Sequence, residues 1–364
     1  MLFLINHFFS SNEFADYALF CALSSTLGVV LSLKVEQLVQ AEKNKLRLSY
    51  LFPITLLVIV PVSIICASIL KIFSHAGLFV IYFGVAITIQ SVLVCSANRI
   101  GKLYFPIIIK SFCHLTIIML IFIKVEWLTT LQFIPSFAIL NLIISSSGLI
   151  IFLFLYKRMI LPRRRVRWSY VNLLIKKYYR RLPLLNSVGI VNNVSINSPV
   201  FILSSLGEQE VVSIYYLIQR ILSPISLIIS KWSRSLYVRN DFNDGINKLR
   251  LDKLSNIITS IIILLSLVSF IIYNYLENLN ELNLLLVIGV LMGTLGQMAY
   301  SPFSFLYTKH NQEFRALTLS FQLLALRCLS VTCFVLVGSL AFILYGLLSY
   351  IGYYRYFLTV RRLI

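Results

Sequence analysis

Eleven runs of about twenty apolar residues follow one another along this chain of 364 residues, with Lys and Arg concentrated in alternate connections. The runs are 15–33, 48–70, 77–97, 103–123, 131–156, 182–205, 211–230, 256–275, 283–305, 316–336 and 338–354. Gly338 and Ser339 mark the boundary of the last two. A bilayer crossing takes about 20 residues at ~1.5 Å rise each. In hydrocarbon the backbone must bond within its own segment, so such runs are read as helices. The expected class is all-α, a polytopic membrane protein. Composition agrees: 59% of residues are apolar and 12% charged, against roughly 45–50% and about 25% in soluble domains. A soluble enzyme, a disordered chain or a secreted disulfide scaffold would leave too much apolar surface in water.

The basic residues orient the spans. Of 32 Lys and Arg, 27 fall in alternate connections and at the C-terminus, whereas the opposite connections hold only Lys71 and Lys124. By the positive-inside rule the rich side is cytoplasmic. The C-terminus is then cytoplasmic, and eleven spans put the N-terminus outside. Residues 2–9 are apolar but too short to cross, and they lack a basic n-region. The expected architecture is therefore twelve helices with most of the first one missing. The net charge of +19 is read as a skirt facing anionic lipid head groups, notably RRRVRW (163–168) and KKYYRR (176–181). No loop is long enough for a nucleic-acid-reading module. The division expected is an N-terminal lobe over 1–156, a basic cytoplasmic connector over 157–181 and a C-terminal lobe over 182–364. The six cysteines all lie in spans without a CxxC pair, as small packing residues do.

A shift of 197 residues brings Glu13 onto Glu210 and Lys34 onto Lys231, with spans of equal length between them. Both acids are read as outer-loop residues entering an inward-running span. An offset of six helices gives two halves of parallel orientation, a pattern of several transporter folds. Two helical lobes around a central cavity are the implied arrangement.

The segment 10–39 carries an acidic entry of type E-x-x-x-Y and a basic-x-Glu exit, here Glu13, Tyr17, Lys34 and Glu36. It resembles the second helix of bacterial polysaccharide flippases. Residues 176–232 resemble that family's basic amphipathic approach, seventh helix, short outer loop and eighth helix of type Y-x-x-x-x-R-x-x-x-P, here Tyr215, Arg220 and Pro224. The family is that of the Wzx-type O-antigen flippases, in the superfamily that also holds multidrug extruders. The resemblance implies twelve helices in two six-helix lobes and translocation of a polyprenyl-diphosphate-linked oligosaccharide across the bacterial inner membrane by alternating access. It implies as partners lipid-linked oligosaccharide, membrane lipids and polysaccharide polymerase machinery, and no cofactor. A multidrug extruder and a truncated inactive member are the alternatives.

Three cations lie within spans: Arg220 and Arg327 near mid-depth, and Lys110 about 12 Å in. Charge at the bilayer centre costs at least about 2.5–3.5 kcal/mol. No Asp or Glu lies deep in a span, so backbone carbonyls or a water-filled cavity are expected to solvate these groups. Such a cavity suits an anionic cargo, because Arg pairs with phosphate oxygens bidentately. Lys110 can alternatively snorkel to the interface. The 182–205 span adds Asn186, Asn192, Asn193, Ser195, Asn197 and Ser198. Asn193 and Asn197 share a helix face and line either a sugar path or an interhelical contact. His114, one turn after Lys110, is a proton site or a packing residue. Lys34 with Glu36 is a gate pair or a solvated one. Short outer loops, with no phosphate cradle and no paired carboxylates, argue against an enzyme or an ATP-driven pump. No metal site is expected.

Overall fold

The computed structural model describes residues 10–34, 76–100, 104–126, 130–160, 178–220, 281–300, 306–307 and 311–362, with residues 102, 176, 256 and 260 singly. The expected span 48–70, the span 256–275 apart from residues 256 and 260, and the later part of 211–230 lie outside the described residues. Among those described the regular structure is helical throughout. The helices are α1 (Ser11–Ser32), α2 (Ala76–Ile100), α3 (Tyr104–Glu126), α4 (Thr130–Ile160), α5 (Arg181–Ser205), α6 (Glu281–Tyr300), α7 (Glu313–Thr332), α8 (Phe334–Val337) and α9 (Leu340–Arg361). Residues 209–220 are helical as well. Among the described residues, four helical stretches are long and apolar enough to cross a membrane: Asn12–Ser32, Gly77–Ala97, Phe133–Tyr156 and Glu313–Val337.

Local chemistry sets the helix ends. Ser10 and Glu13 form a capping box at the start of α1: the Ser10 amide donates to Glu13 Oε2 at 3.0 Å, and the Glu13 amide donates to Ser10 Oγ at 3.4 Å. Glu13 is therefore a first-turn helix residue rather than the outer-loop residue expected. Helix α5 stops at Gly207, whose φ of 81° is the left-handed conformation glycine adopts without strain. The soft boundary at Gly338 is a real break. There φ is 57° and ψ −139°, a combination restricted to glycine.

The chain forms two compact units, Phe3–Asn193 and Val194–Ile364. The division between these units falls inside α5. In the first unit α1 packs on α2, and α2 and α3 pack on α4. A Cβ on Gly28 would sit 3.1 Å from the Gly84 carbonyl oxygen, so small residues let α1 and α2 approach closely. The Thr88 hydroxyl lies 2.9 Å from the carbonyls of both Gly28 and Gly84 at this crossing. In the second unit α6 and α7 pack on α9. Here Gly289 of α6 rests directly on the Phe342 carbonyl, and Gly346 rests on that of Gly289.

The two units repeat one crossing. Gly148 of α4 lies under Ile109 of α3, and Gly352 of α9 lies under Leu323 of α7. In both, a Cβ on the glycine would be 2.6 Å from the terminal Cδ1. The offsets are 204 residues between α4 and α9 and 214 between α3 and α7. The shift of 197 that pairs Glu13 with Glu210 also brings the start of α1 within one residue of the helix start at 209. Serine, threonine and asparagine are buried in this structure (Ser24, Thr88, Asn141, Ser145, Ser195, Asn197), while Phe112, Met119, Ile150, Phe154, Phe314 and Leu336 are exposed, Leu336 to 83%. Large apolar side chains facing outward, with small polar ones within, suit hydrocarbon rather than water as the surrounding solvent.

Candidate functional site

The site is built on one turn of α5. Pro199 lies inside that helix. Proline has no N–H, so the Ser195 carbonyl loses its helical donor. The Ser198 hydroxyl replaces it at 2.9 Å. One residue along, the Ile196 carbonyl accepts a hydrogen bond from the Tyr215 hydroxyl at 3.1 Å. The Ser195 hydroxyl, wholly buried, receives one from Arg327. The turn loosened by proline is where α7 and the 209–220 stretch dock.

Arg327 of α7 is the centre of this cluster and is 1% exposed. Its Nε donates to Ser349 Oγ at 2.9 Å and its Nη1 to Ser195 Oγ at 3.3 Å. The rings of Tyr353 and Tyr345 lie 5.1 and 5.5 Å from the guanidinium carbon, within cation–π range. The hydroxyls of Tyr345 and Tyr215 are 3.1 Å apart. A phenol has one proton. That of Tyr215 goes to Ile196, so Tyr345 is the donor between the two. Among the described residues no carboxylate reaches the guanidinium. Glu313, on the same helix, is fourteen residues earlier, ~21 Å along the axis.

Arg327 was expected to be solvated by backbone carbonyls or a water-filled cavity. Among the described residues, two serine hydroxyls and two tyrosine faces surround it. Its partners on α9 escaped the sequence reading. The signal was present: Tyr345, Ser349 and Tyr353 are four residues apart, which stacks them on one helix face.

The other candidates are distributed between the units. In the second unit Arg220 is half-buried, its guanidinium over the Tyr216 ring at 4.7 Å. Asn197 is buried on α5. In the first unit Asn193 Oδ1 accepts from the hydroxyls of Thr26 at 2.9 Å and Ser25 at 3.2 Å, an interhelical contact with α1. Lys110 is half-buried, one turn before the buried Cys113 on α3. Lys34 follows the end of α1 with a positive φ of 54°, and its aliphatic stem lies across Gly189 of α5. The side chain of His114 and all of Glu36 lie outside the described residues. Cys21, Cys95, Cys113, Cys328 and Cys333 form no disulfide among the described residues. No group of three or more His, Cys, Asp or Glu converges there to hold a metal ion.

A neutral counterpart of the cluster lies in the first unit. Gln90 of α2 donates to Ser145 Oγ of α4 at 2.9 Å and approaches Cys113 Sγ of α3 at 3.4 Å. Ser145 and Ser349 are related by the same offset as Gly148 and Gly352, and Cys113 and Arg327 by the same offset as Ile109 and Leu323.

No protein-family model matches the sequence, and no curated protein does. Two solved structures share the fold. One is a MATE protein in complex with MaL6, with a TM-score of 0.63, 13% identity, and coverage of 99% of this chain and 90% of that one. The other is a MOP superfamily transporter from Pyrococcus furiosus, whose binding pocket is described as of reverse polarity. It has a TM-score of 0.64, 13% identity and the same coverages. The likeness extends over nearly the whole chain and establishes an all-helical, polytopic membrane fold shared with transporters.

Proposed function

We propose that this protein is a flippase that moves a polyprenyl-diphosphate-linked oligosaccharide, an O-antigen or related repeat unit, across the bacterial inner membrane by alternating access, with its C-terminus in the cytoplasm. The observation that carries this reading is the buried Arg327 guanidinium, without a carboxylate among the described residues. A positive charge inside a membrane protein is costly unless something of opposite sign answers it. A diphosphate is such a group, and it accepts bidentate hydrogen bonds from guanidinium. Arg220 supplies a second, more accessible cation. The hydroxyls and amides of α5 supply hydrogen bonds of the kind a sugar chain needs.

The fold fits a multidrug extruder of the same superfamily equally well. The sign of the buried charge separates the two readings, since a cationic drug would meet a like charge at Arg327. The Pyrococcus furiosus transporter, with its pocket of reverse polarity, supports treating pocket charge as the feature that varies on this fold.

The test is transport of a fluorescent lipid-linked oligosaccharide in proteoliposomes. Export by the unaltered protein, abolished in Arg327→Gln and reduced in Arg220→Gln at equal reconstitution, is the expected result. Undiminished transport in both variants would remove these arginines from the site. Transport of a cationic dye but not of the lipid-linked sugar would favour the extruder.

A further inference from the structure

We infer that Ser195 is a competitive latch on Arg327. A phosphate group of the cargo takes the guanidinium only by displacing Ser195, and doing so frees the proline-loosened turn of α5 from α7. This rests on the reading of the cargo as a lipid-linked diphosphate. Three observations lead to it. The two serine contacts are unequal: Ser349 is held at 2.9 Å through Nε, and Ser195 at 3.3 Å through Nη1, the longer and weaker of the pair. Ser349 is one turn from both Tyr345 and Tyr353, whose rings face the same guanidinium, so α9 forms a fixed cradle. Ser195 instead sits on the turn whose helical bonding Pro199 has removed, tied down by the Ser198 hydroxyl, by Tyr215 to Ile196, and by Arg327 itself.

A neutral hydroxyl and an anionic phosphate oxygen compete unequally for one N–H. The charge-assisted bond is shorter and roughly twice as strong. Among the described residues the buried Tyr353 hydroxyl has no acceptor at standard distance, so its proton is available to an arriving oxygen. Ser349 then positions the guanidinium, Ser195 occupies its Nη1 when no phosphate is bound, and Tyr215 reinforces the occupied state through Ile196.

The latch predicts effects of opposite sign from two serines that touch one arginine. With the full chain in nanodiscs, binding of undecaprenyl diphosphate is measured against undecaprenol and inorganic diphosphate. Ser195→Ala and Tyr215→Phe are expected to tighten binding of the lipid diphosphate about threefold to tenfold, the weight of one hydrogen bond. Ser349→Ala is expected to weaken it by a similar factor. If Ser195→Ala and Ser349→Ala shift affinity the same way, or neither shifts it, the latch is wrong. If the unaltered protein prefers the diphosphate over undecaprenol and Arg327→Gln abolishes that preference, the cargo reading survives that loss. If the unaltered protein shows no such preference, the cargo reading itself falls. If inorganic diphosphate reproduces the affinities and their opposite signs, a phosphate site is supported and the lipid is overturned as its source.

Discussion

The two units place a buried serine at the same point of the same helix crossing and surround it differently. In the first unit Ser145 meets Gln90 from α2, with the Cys113 thiol nearby. In the second Ser349 meets Arg327 from α7, and α6 offers Gly293, where an added Cβ would already be 3.1 Å from the Tyr345 ring. The offsets put Asn141 and Leu149 where the second unit has Tyr345 and Tyr353. Asn141 turns its amide back to its own helix, donating to the Phe137 carbonyl at 2.9 Å, whereas Tyr345 reaches across to Tyr215. One backbone crossing thus hosts either a self-sufficient neutral node or a cation. Around the cation stand the aromatic faces of Tyr345 and Tyr353. Charge at such a node is a local choice of side chains, separable from the fold that holds it.

This contrast can be broken by substitution. The largest expected effect is on Arg327: Arg327→Ala strands two buried serine hydroxyls and two tyrosine faces and should cut transport to background, while Cys113→Ala should leave it near normal and cost about 1 kcal/mol of stability. Comparable losses from both would mean that the nodes do the same work. Next is the helix crossing. Gly289→Ala puts a methyl into the Phe342 backbone and should cost roughly 3 kcal/mol, read as a lower midpoint of thermal unfolding in detergent. Gly28→Ala, with 3.1 Å available, should cost less, and the reverse order would contradict the tighter packing of the second unit. Smaller again is the serine pair. Ser349→Ala leaves a buried guanidinium N–H without a partner, about 1.5–3 kcal/mol, against about 1 kcal/mol for Ser145→Ala, which strands only a neutral amide. The smallest concerns Pro199→Ala. Because Ser198 already serves the Ser195 carbonyl, stability should move by less than about 1 kcal/mol. A gain near 3 kcal/mol, the cost of an uncompensated helix-interior proline, would show that the hydroxyl is a poor substitute.

Tyr307 lies between α6 and α7, and its hydroxyl donates to the Tyr356 carbonyl at 3.0 Å. Burial pushes its phenol up from the ordinary value near 10. The raised group contributes stability below pH 10 that is lost as pH rises toward its folded value. Tyr307→Phe should therefore flatten the alkaline fall of thermal stability, and an unchanged alkaline profile would remove Tyr307 from it.

Helix positions were legible because a bilayer imposes one length and forbids unpaired backbone. The expected runs 77–97, 131–156 and 182–205 lie inside α2, α4 and α5, and the break at Gly338 stands where a glycine-only conformation demanded it. Arg327 was marked by its place inside an apolar run of the sequence. What surrounds it was not. Ser195, Tyr215 and Ser349 come from other helices, so only packing could bring them to Arg327. The polar stretch of α5 illustrates the division: its amides and hydroxyls announced a helix that does not face lipid, but only packing sent Asn193 to α1 and Ser195 to Arg327. Sequence determines where a membrane helix runs, because hydrophobic transfer is a sum over residues. Tertiary structure alone decides which buried polar groups meet, because that depends on the register of helices brought together from distant parts of the chain.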